Sequence, residues 1–262
     1  MKLSPEHLSE LREAKKLLEQ PSIAARLTDA IGSPIEKGFS MLPEKWSTTI
    51  NSAVRNSLNR ALEVAVKSLR KRNSLNAREV LHRTAVTATG AAGGAFGLTG
   101  LIIELPISTT LMLRSIADIA RSEGEDVGEV ETQLACLEVF ALGGKSKSDD
   151  AAETGYFAIR SALASSVTEA ARYLAQKGLL DKGAPALVRF ISAVAARFGV
   201  VVSEKIAAMA IPVVGAAGGA VVNSVFMKHF QDMARGHFTV RRLERQYGLE
   251  LVRSEYDAID LL

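Results

Sequence analysis

The sequence has little of what metal-binding, redox and secreted proteins depend on. It holds one cysteine, Cys136, and aromatic residues make up only 5% of its 262 residues. A single cysteine excludes a disulfide within the chain and is typical of a reducing compartment. The histidines lack the spacing of a zinc-binding motif, so the sequence predicts no metal site. They stand far apart, at His7, His82, His229 and His237.

Recognisable catalytic motifs are also missing. Gly144-Lys145-Ser146 resembles the end of a phosphate-binding loop, but Val139 occupies the position where that motif needs a glycine. No Gly-x-Gly-x-x-Gly fingerprint or Gly-x-Ser-x-Gly elbow occurs. The net charge of +3 is too small to indicate a nucleic-acid partner. We therefore predict no catalytic residues, no cofactor and no nucleic-acid binding.

The start of the chain lacks the apolar core of a signal peptide. Residues 1–7 are largely polar and lead into a charged helical pattern. We therefore expect a cytoplasmic protein, one that is also able to lie against the inner membrane.

What the sequence does contain is residues and spacings that favour α-helices. Alanine, leucine and valine supply most of the 47% hydrophobic content, and no run alternates with the period of a strand. Ser4-Pro5-Glu6 is typical of a helix start, and further helices are predicted at 129–142, 156–177 and 185–209. The expected fold is an all-α, multi-helix bundle with two glycine-rich apolar segments packed centrally.

Two parts of the chain differ in their pattern. Prolines and glycines divide residues 1–43 into short pieces, which predicts an N-terminal helical extension. Residues 44–262 then form the main helical domain. Its first helix, predicted over 44–72, has one apolar stripe and one basic face.

The basic face of that helix is a candidate contact for an anionic membrane surface or a partner protein. A tryptophan at one end and a cluster of cations at the other are features of membrane-surface helices. The alternative is an ordinary solvated face of a bundle helix. The residues concerned are Trp46, Lys67, Arg70, Lys71 and Arg72.

Two uncharged, glycine-rich segments lie at 84–103 and 206–227. Each is long enough to span a bilayer, but both are richer in glycine, alanine and threonine than in leucine, and a buried hairpin of a soluble bundle has the same composition. Clustered glycines let another backbone approach closely, so we expect the two segments to pack together. The glycines concerned are Gly90, Gly93, Gly94, Gly97, Gly215, Gly218 and Gly219.

The two segments also share sequence. Gly-Ala-Ala-Gly-Gly-Ala occurs at 90–95 and at 215–220, and an Asp-x-Ala-Arg-like echo follows each, at 118–121 and at 232–235. An internal duplication with units at 84–121 and 206–235 explains the recurrence. Chance in a chain rich in alanine and glycine explains it as well.

Glu104 stands out because it interrupts an uncharged run beside Leu105-Pro106. An acid in that position either pairs with a buried cation or forms part of a site. Arg114 and Lys205 are the candidate cations, and a buried polar site of Glu104, Arg114 and Asn223 is the functional alternative. We also expect Pro106 to separate two helices, the second running over 109–121.

Together these residues resemble the bacterial EcsC family. One block of the resemblance runs from Gly93 through Glu104-Leu105-Pro106 and Arg114 to Glu123-Gly124-Glu125-Asp126. The other runs from Pro212 through Asn223 to Arg241-x-Leu243-Glu244. It covers roughly residues 45 to 250 and leaves the N-terminal 40 residues outside. The family is named after a protein encoded beside an ABC exporter, and its role is undefined, so the resemblance implies a cytoplasmic or membrane-peripheral helper without catalytic residues.

The leading hypothesis is therefore an EcsC-like accessory protein at the cytoplasmic membrane face, which binds lipid or a membrane protein such as an ABC transporter. An enzyme with a buried site around Glu104, for example a lipid-directed hydrolase, is the alternative. A non-catalytic scaffold, with its glycine faces buried between subunits of a homo-oligomer, is the third.

Overall fold

The computed structural model describes residues 2–19, 22–43, 46–69, 97–143, 155–179, 181, 183–211 and 215–261. Every extended regular element in those ranges is helical, and they contain no strand, which confirms the predicted all-α bundle. In chain order the helices are α1 (Pro5–Glu19), α2 (Ile23–Ile31), α3 (Glu36–Phe39), α4 (Trp46–Ser68), α5 (Gly97–Ser122), α6 (Val130–Leu142), α7 (Tyr156–Lys177), α8 (Pro185–Ala210), α9 (Gly215–Tyr247) and α10 (Leu249–Ala258).

Helix α1 begins where the sequence predicts, with Pro5 in its first turn and the Ser4 hydroxyl accepting the His7 N–H at 3.2 Å. It packs on α9 so closely that a Cβ on Gly236 would lie 2.9 Å from the Ala14 carbonyl oxygen. Lys15 Nζ also donates to the carbonyls of Tyr256 and Ile259 at 2.8 Å each. The first helix therefore rests on the last two, and a domain boundary at residue 43 stays a prediction.

Four long helices, α4, α5, α8 and α9, form the centre of the bundle. Arg121 Nη2, near the end of α5, donates to the Leu69 carbonyl just after α4, at 3.1 Å, so the two helices end at the same place and α4 and α5 run parallel. Helices α5 and α9 run parallel, because Glu104 contacts Asn223 and Ser115 contacts Gln231 further along both. The start of α5, the end of α8 and the start of α9 consequently meet at one end of the bundle.

That end carries no charge on any of these three helices. The first charged residue of α5 is Glu104, the last of α8 is Lys205, and the first of α9 is Lys228. At 1.5 Å per residue, Glu104 lies about 10 Å from the start of its helix and Lys205 about 8 Å from the end of α8. We call residues 97–103, 206–211 and 215–222 the charge-free end.

The expected interruption at Pro106 is wrong, because α5 continues through it from Gly97 to Ser122. Proline removes one backbone donor and cannot bond back along the helix. Two hydroxyls bond carbonyls beside the proline: Thr110 Oγ1 donates to Pro106 O at 2.8 Å and Ser108 Oγ to Leu105 O at 3.1 Å. Packing on α4 and α9 then holds the helix together across the proline.

Helix α6 also differs from expectation. Its sequence predicts an amphipathic helix, but every residue from Thr132 to Leu142 is buried, including Gln133 and Glu138. The helix contacts α4, α5, α7, α8 and α9, so no face of it remains for solvent. A helix surrounded on all sides must bury its polar residues too, and Glu138 is the costly one.

Candidate functional site

Glu104 pairs with a lysine from a different helix. Lys205 Nζ on α8 lies 3.0 Å from Glu104 Oε2, and Asn223 Nδ2 on α9 donates to Glu104 Oε1 at 3.2 Å. All three side chains are buried, with exposed fractions of 5% or less. We call Glu104, Lys205 and Asn223 the Glu104 cluster.

Both carboxylate oxygens of Glu104 are thus occupied, one by a cation and one by an amide. The Lys205 ammonium also lies 4.7 Å from the centre of the Phe226 ring, which adds a cation–π contact on a desolvated charge. A buried ion pair with this many partners is held in place rather than available for proton transfer. Glu104 therefore serves to join α5 to α8 and α9 through a buried ion pair and a hydrogen bond.

Arg114 does not join the predicted polar site. It follows Glu104 by ten residues on the same helix, a rise of about 15 Å, and neither a hydrogen bond nor an ion pair links the two side chains. The structure brings Glu104 and Asn223 together, and Lys205 takes the position expected of Arg114. Further along α5, Arg121 Nη1 donates to Asp118 Oδ1 at 2.6 Å.

The predicted membrane-contact residues lie at two ends of α4. Trp46 is half-buried against the core at the start of the helix, beside the charge-free end. Helix α4 runs antiparallel to α8, because Asn51 lies against Gly199 and Arg55 bonds Ser192 earlier in α8. Lys67 is exposed at the other end, about 32 Å along the axis. Arg70, Lys71 and Arg72 lie outside the described residues. A flat surface against the charge-free end does not reach Lys67.

Most of the predicted close-packing glycines lie at positions whose packing the structure does not describe. Gly90, Gly93 and Gly94 lie outside the described residues, and Gly97 and Gly215 are described only as helix starts. Gly219 is buried and Gly218 half-buried within α9.

Close helix contacts do occur at other glycines. A Cβ on Gly38 would lie 1.8 Å from the Ala207 carbonyl oxygen, and one on Gly143 would lie 2.5 Å from His229 Nε2. These two glycines fix α3 against α8 and the end of α6 against α9. The sequence singled out neither of them.

The internal echo has a structural counterpart. Asp118 bonds Arg121 and Asp232 bonds Arg235, each as an i, i+3 ion pair with a buried aspartate. The two pairs lie on α5 and α9, which run parallel and side by side. Duplication of one helical unit fits this arrangement and stays a prediction.

A second polar cluster, which the sequence analysis did not find, joins α6, α7 and α9. Arg160 on α7 forms two hydrogen bonds with the Glu244 carboxylate, at 2.7 and 3.1 Å. It also donates to the Tyr156 hydroxyl at 3.2 Å, and that hydroxyl lies 2.9 Å from His237 Nδ1. Glu138 on α6 lies within the field of Arg160. We call these five residues the Glu138 cluster.

Two polar groups of the Glu138 cluster have no hydrogen-bond partner among the described residues, the Glu138 carboxyl and the Nε2 of His237. Glu138 is 6% exposed and receives no hydrogen bond from the described residues. Burial raises its pKa to about 7, which the charges of Arg160 and Arg241 offset only in part. His237 is fully buried, and its Nε2 has no partner within the described structure. Burial, followed by the charges of Arg160 and Arg241, holds the His237 pKa well below its usual value.

The proton positions follow from these contacts. Because Tyr156 accepts from Arg160, its own hydroxyl hydrogen is free to point at His237 Nδ1. A neutral His237 then carries its proton on Nε2. His229 is similar: burial lowers its pKa to about 4, and its Nε2 lies 3.1 Å from the Gly143 carbonyl, to which it donates. Both imidazoles are therefore neutral at neutral pH.

Cys136 is fully buried on α6, and burial raises its pKa to about 12, as expected of an inert core thiol. Among the described residues no group of three or more His, Cys, Asp and Glu side chains is arranged to hold a metal ion.

Residues that carry the family resemblance contact one another across the fold. Arg241 on α9 forms two hydrogen bonds with Glu125, at 2.8 and 3.2 Å, and Arg242 bonds Glu123 at 2.8 Å. Asn223 bonds Glu104 in the same way. Each pair joins the first block of the resemblance to the second, so these residues bind α5 and the turn after it to α9.

The comparisons with known proteins give one match. The model of the EcsC protein family matches residues 5–243, and its match begins in α1, well before the motifs that carry the resemblance. No curated protein and no solved structure matches the chain. Since the match spans most of the sequence, the chain belongs to the EcsC protein family.

Proposed function

We propose that this chain is an accessory protein without a reaction of its own, which attaches to the cytoplasmic face of a membrane through the charge-free end of its bundle. The observation that supports this most is where the apolar surface lies. Six large hydrophobic side chains are exposed among the described residues. Three of them, Phe39, Met41 and Val221, lie at or beside the charge-free end, and Ile107 lies about 15 Å from the start of α5.

The charges nearest to that end support the same proposal. Glu104 and Lys205 are the first charged residues inward along α5 and α8, and they neutralise each other at 3.0 Å. An end that meets lipid or an apolar partner must avoid unpaired charges, and this pairing leaves none on these two helices there.

A full membrane span is not needed for this attachment. Of the described helices, only α8 is long and apolar enough to cross a bilayer, and more than half of its most apolar stretch is buried in the bundle. It also carries Arg189, Arg197, Glu204 and Lys205. These features suit a core helix better than a span.

The enzyme hypothesis has lost its main support, because both oxygens of Glu104 are engaged in a buried cluster. The scaffold hypothesis gains none, because Gly219 is buried within its own chain. Membrane attachment is the function that the geometry favours.

Fractionation of cells that express the protein tests the proposal. Membranes are washed with high salt, then carbonate, then detergent, and each wash is probed for the protein. We expect retention in salt, because an uncharged contact is not screened, and release by carbonate or detergent. A protein found only in the soluble fraction would refute the proposal.

A charge-reversal variant separates the charge-free end from the basic face of α4. The variant changes Lys67, Arg70, Lys71 and Arg72 to Glu. We expect its membrane recovery to match the unchanged protein, because Lys67 lies about 32 Å from the charge-free end. Loss of recovery, or release by salt alone, would move the contact to the basic face.

A further inference from the structure

The segment around α3, residues 36–43, lies beside the charge-free end, where Gly38 packs against Ala207. It holds Phe39 and Met41, which are 42% and 51% exposed, and Met41 is the most exposed large hydrophobic residue in the described structure. Resting on the proposed membrane attachment, we infer that the partner is the lipid bilayer itself and that residues 36–43 form the wedge that enters it.

The wedge is firmly seated on the bundle. Gly38 approaches the Ala207 backbone so closely that any larger residue would collide with it. The buried Ile35 precedes it in the core, and the Ser40 hydroxyl bonds the Lys37 carbonyl at 2.8 Å. Phe39 and Met41 are therefore held at a set height beside the last turns of α8. Side chains fixed in place lose little freedom on entering a membrane.

The depth available matches shallow insertion. Apolar faces of membrane-surface helices enter about 5 to 10 Å into the headgroup and acyl boundary. Measured from the start of each helix, the first charged residue lies about 10 Å along α5, at Glu104, and about 19 Å along α9, at Lys228. The wedge has two charges of its own, Glu36 and Lys37, which are exposed and opposite in sign. These hold the wedge at headgroup level, because a charged head stays in water.

A bilayer suits this surface better than a protein partner does. The exposed apolar side chains come from three separate elements, the wedge, α5 and α9, rather than from one continuous groove. A protein partner needs a complementary shape against all of them, whereas fluid acyl chains adapt to scattered side chains. Trp46 at the start of α4 lies at the same end, and tryptophan is favoured at membrane boundaries.

Trp46 provides the measurement, because it is the one tryptophan in the chain. The purified full-length protein is mixed with phosphatidylcholine vesicles, with and without phosphatidylglycerol, and with lipids brominated at shallow or deep acyl positions. We expect co-sedimentation with the vesicles and stronger quenching of Trp46 by shallow bromines than by deep ones. Because Glu36 and Lys37 cancel, phosphatidylglycerol should change the binding little.

A matched pair of variants locates the contact. Phe39→Ser with Met41→Ser removes the apolar surface of the wedge. Val188→Ser with Leu249→Ser removes similar exposed surface elsewhere, Val188 being at the opposite end of α8. We expect the first variant to lose vesicle binding by about tenfold or more per side chain and the second to keep it. Circular dichroism confirms that both remain folded.

The outcomes separate this inference from the proposed function. Binding to native membranes without binding to pure lipid vesicles would keep membrane attachment and overturn the lipid partner. Equal binding by the two variants would overturn the wedge. Binding to neither native membranes nor vesicles would overturn both the inference and the proposed function.

Discussion

The two buried polar clusters of this bundle differ in how completely their charges are paired. In the Glu104 cluster, both carboxylate oxygens have a partner and the lysine is paired with the carboxylate. In the Glu138 cluster, Arg160 and Glu244 satisfy each other, while Glu138 has no hydrogen bond from the described residues and the Nε2 of His237 has no partner. Along α9 the clusters lie about 21 Å apart, measured from Asn223 to His237.

The difference shows which buried acid is compensated by partners and which one lowers the stability of the fold when it is charged. Glu104 is conspicuous in the sequence because it interrupts an uncharged run, yet its pairing is complete. Glu138 is inconspicuous in the sequence, yet burial raises its pKa to about 7. A buried charge with a full set of partners stabilises its neighbours' positions, whereas one without them makes stability depend on pH.

The largest effect is expected when the Glu104 cluster loses its cation. Lys205→Met leaves a buried carboxylate without its counter-charge, and such losses cost about 3 to 5 kcal/mol of unfolding free energy. Chemical denaturation at neutral pH measures it. The double variant Glu104→Leu with Lys205→Met removes both charges and should recover most of the loss. A cost below about 1 kcal/mol for the single variant would show that the pair is not desolvated.

Glu138→Gln should change the pH dependence of stability. In the folded protein Glu138 keeps its proton up to about pH 7, while in the unfolded chain it loses it near 4.5. The folded state therefore holds more protons between these values, and the unfolding free energy falls as pH rises through this window. The variant should remove this fall and be about 3 kcal/mol more stable than the unchanged protein at pH 8.

Glu125→Gln is the matched control for that measurement. Although burial raises it, the pKa of Glu125 is lowered overall by Arg241 and Arg245. The variant should therefore lose stability at pH 8, where Glu138→Gln gains it. The same sign for both variants would contradict the proposed difference between paired and unpaired buried acids.

His237 should contribute a smaller effect of the opposite sign to that of Glu138. Its lowered pKa means that the unfolded chain takes up a proton below about pH 6.5 while the folded chain does not, so stability falls as pH decreases. His237→Leu also removes the acceptor for Tyr156 and should cost about 1 to 3 kcal/mol at pH 7. His237→Asn keeps an acceptor and should cost less while abolishing the acid-induced loss. Equal costs for the two variants would show that the Tyr156 hydroxyl bond contributes nothing.

The smallest effect is expected at Glu204 on α8. Burial raises its pKa to about 7 as well, but the side chain is only partly buried and water screens its charge. Glu204→Gln should raise stability at pH 8 in the same direction as Glu138→Gln and by a smaller amount. A larger gain at Glu204 than at Glu138 would show that the degree of burial does not set the size of the effect.

Much of the fold could be predicted because the pattern is local. The start of α1 at Pro5, the ends of α7 at Tyr156 and Lys177, and the absence of strands among the described residues follow from caps, glycines and helical periodicity. Continuation through Pro106 could not be predicted in this way, because the neighbouring helices outweigh the local cost of a proline.

The polar clusters were harder to predict, since they depend on contacts between distant residues. Glu104 signalled a buried cation, but Arg114 and Lys205 were equal candidates until the antiparallel and parallel runs of the helices were known. Glu138 gave one overlooked signal, an acid within the apolar run Ala135-Cys-Leu-Glu-Val-Phe-Ala-Leu142. His229 and His237, eight residues apart on one helix, gave another.

The seating of α1 on α9 and α10 has a consequence for how the protein is made. Lys15 bonds carbonyls that are 241 and 244 residues later in the chain. At the usual pace of a ribosome, that interval lasts tens of seconds. Throughout it, the apolar face of the first helix that carries Leu11 and Ala14 waits for the helices that bury it in the folded protein, so this face is exposed for most of synthesis.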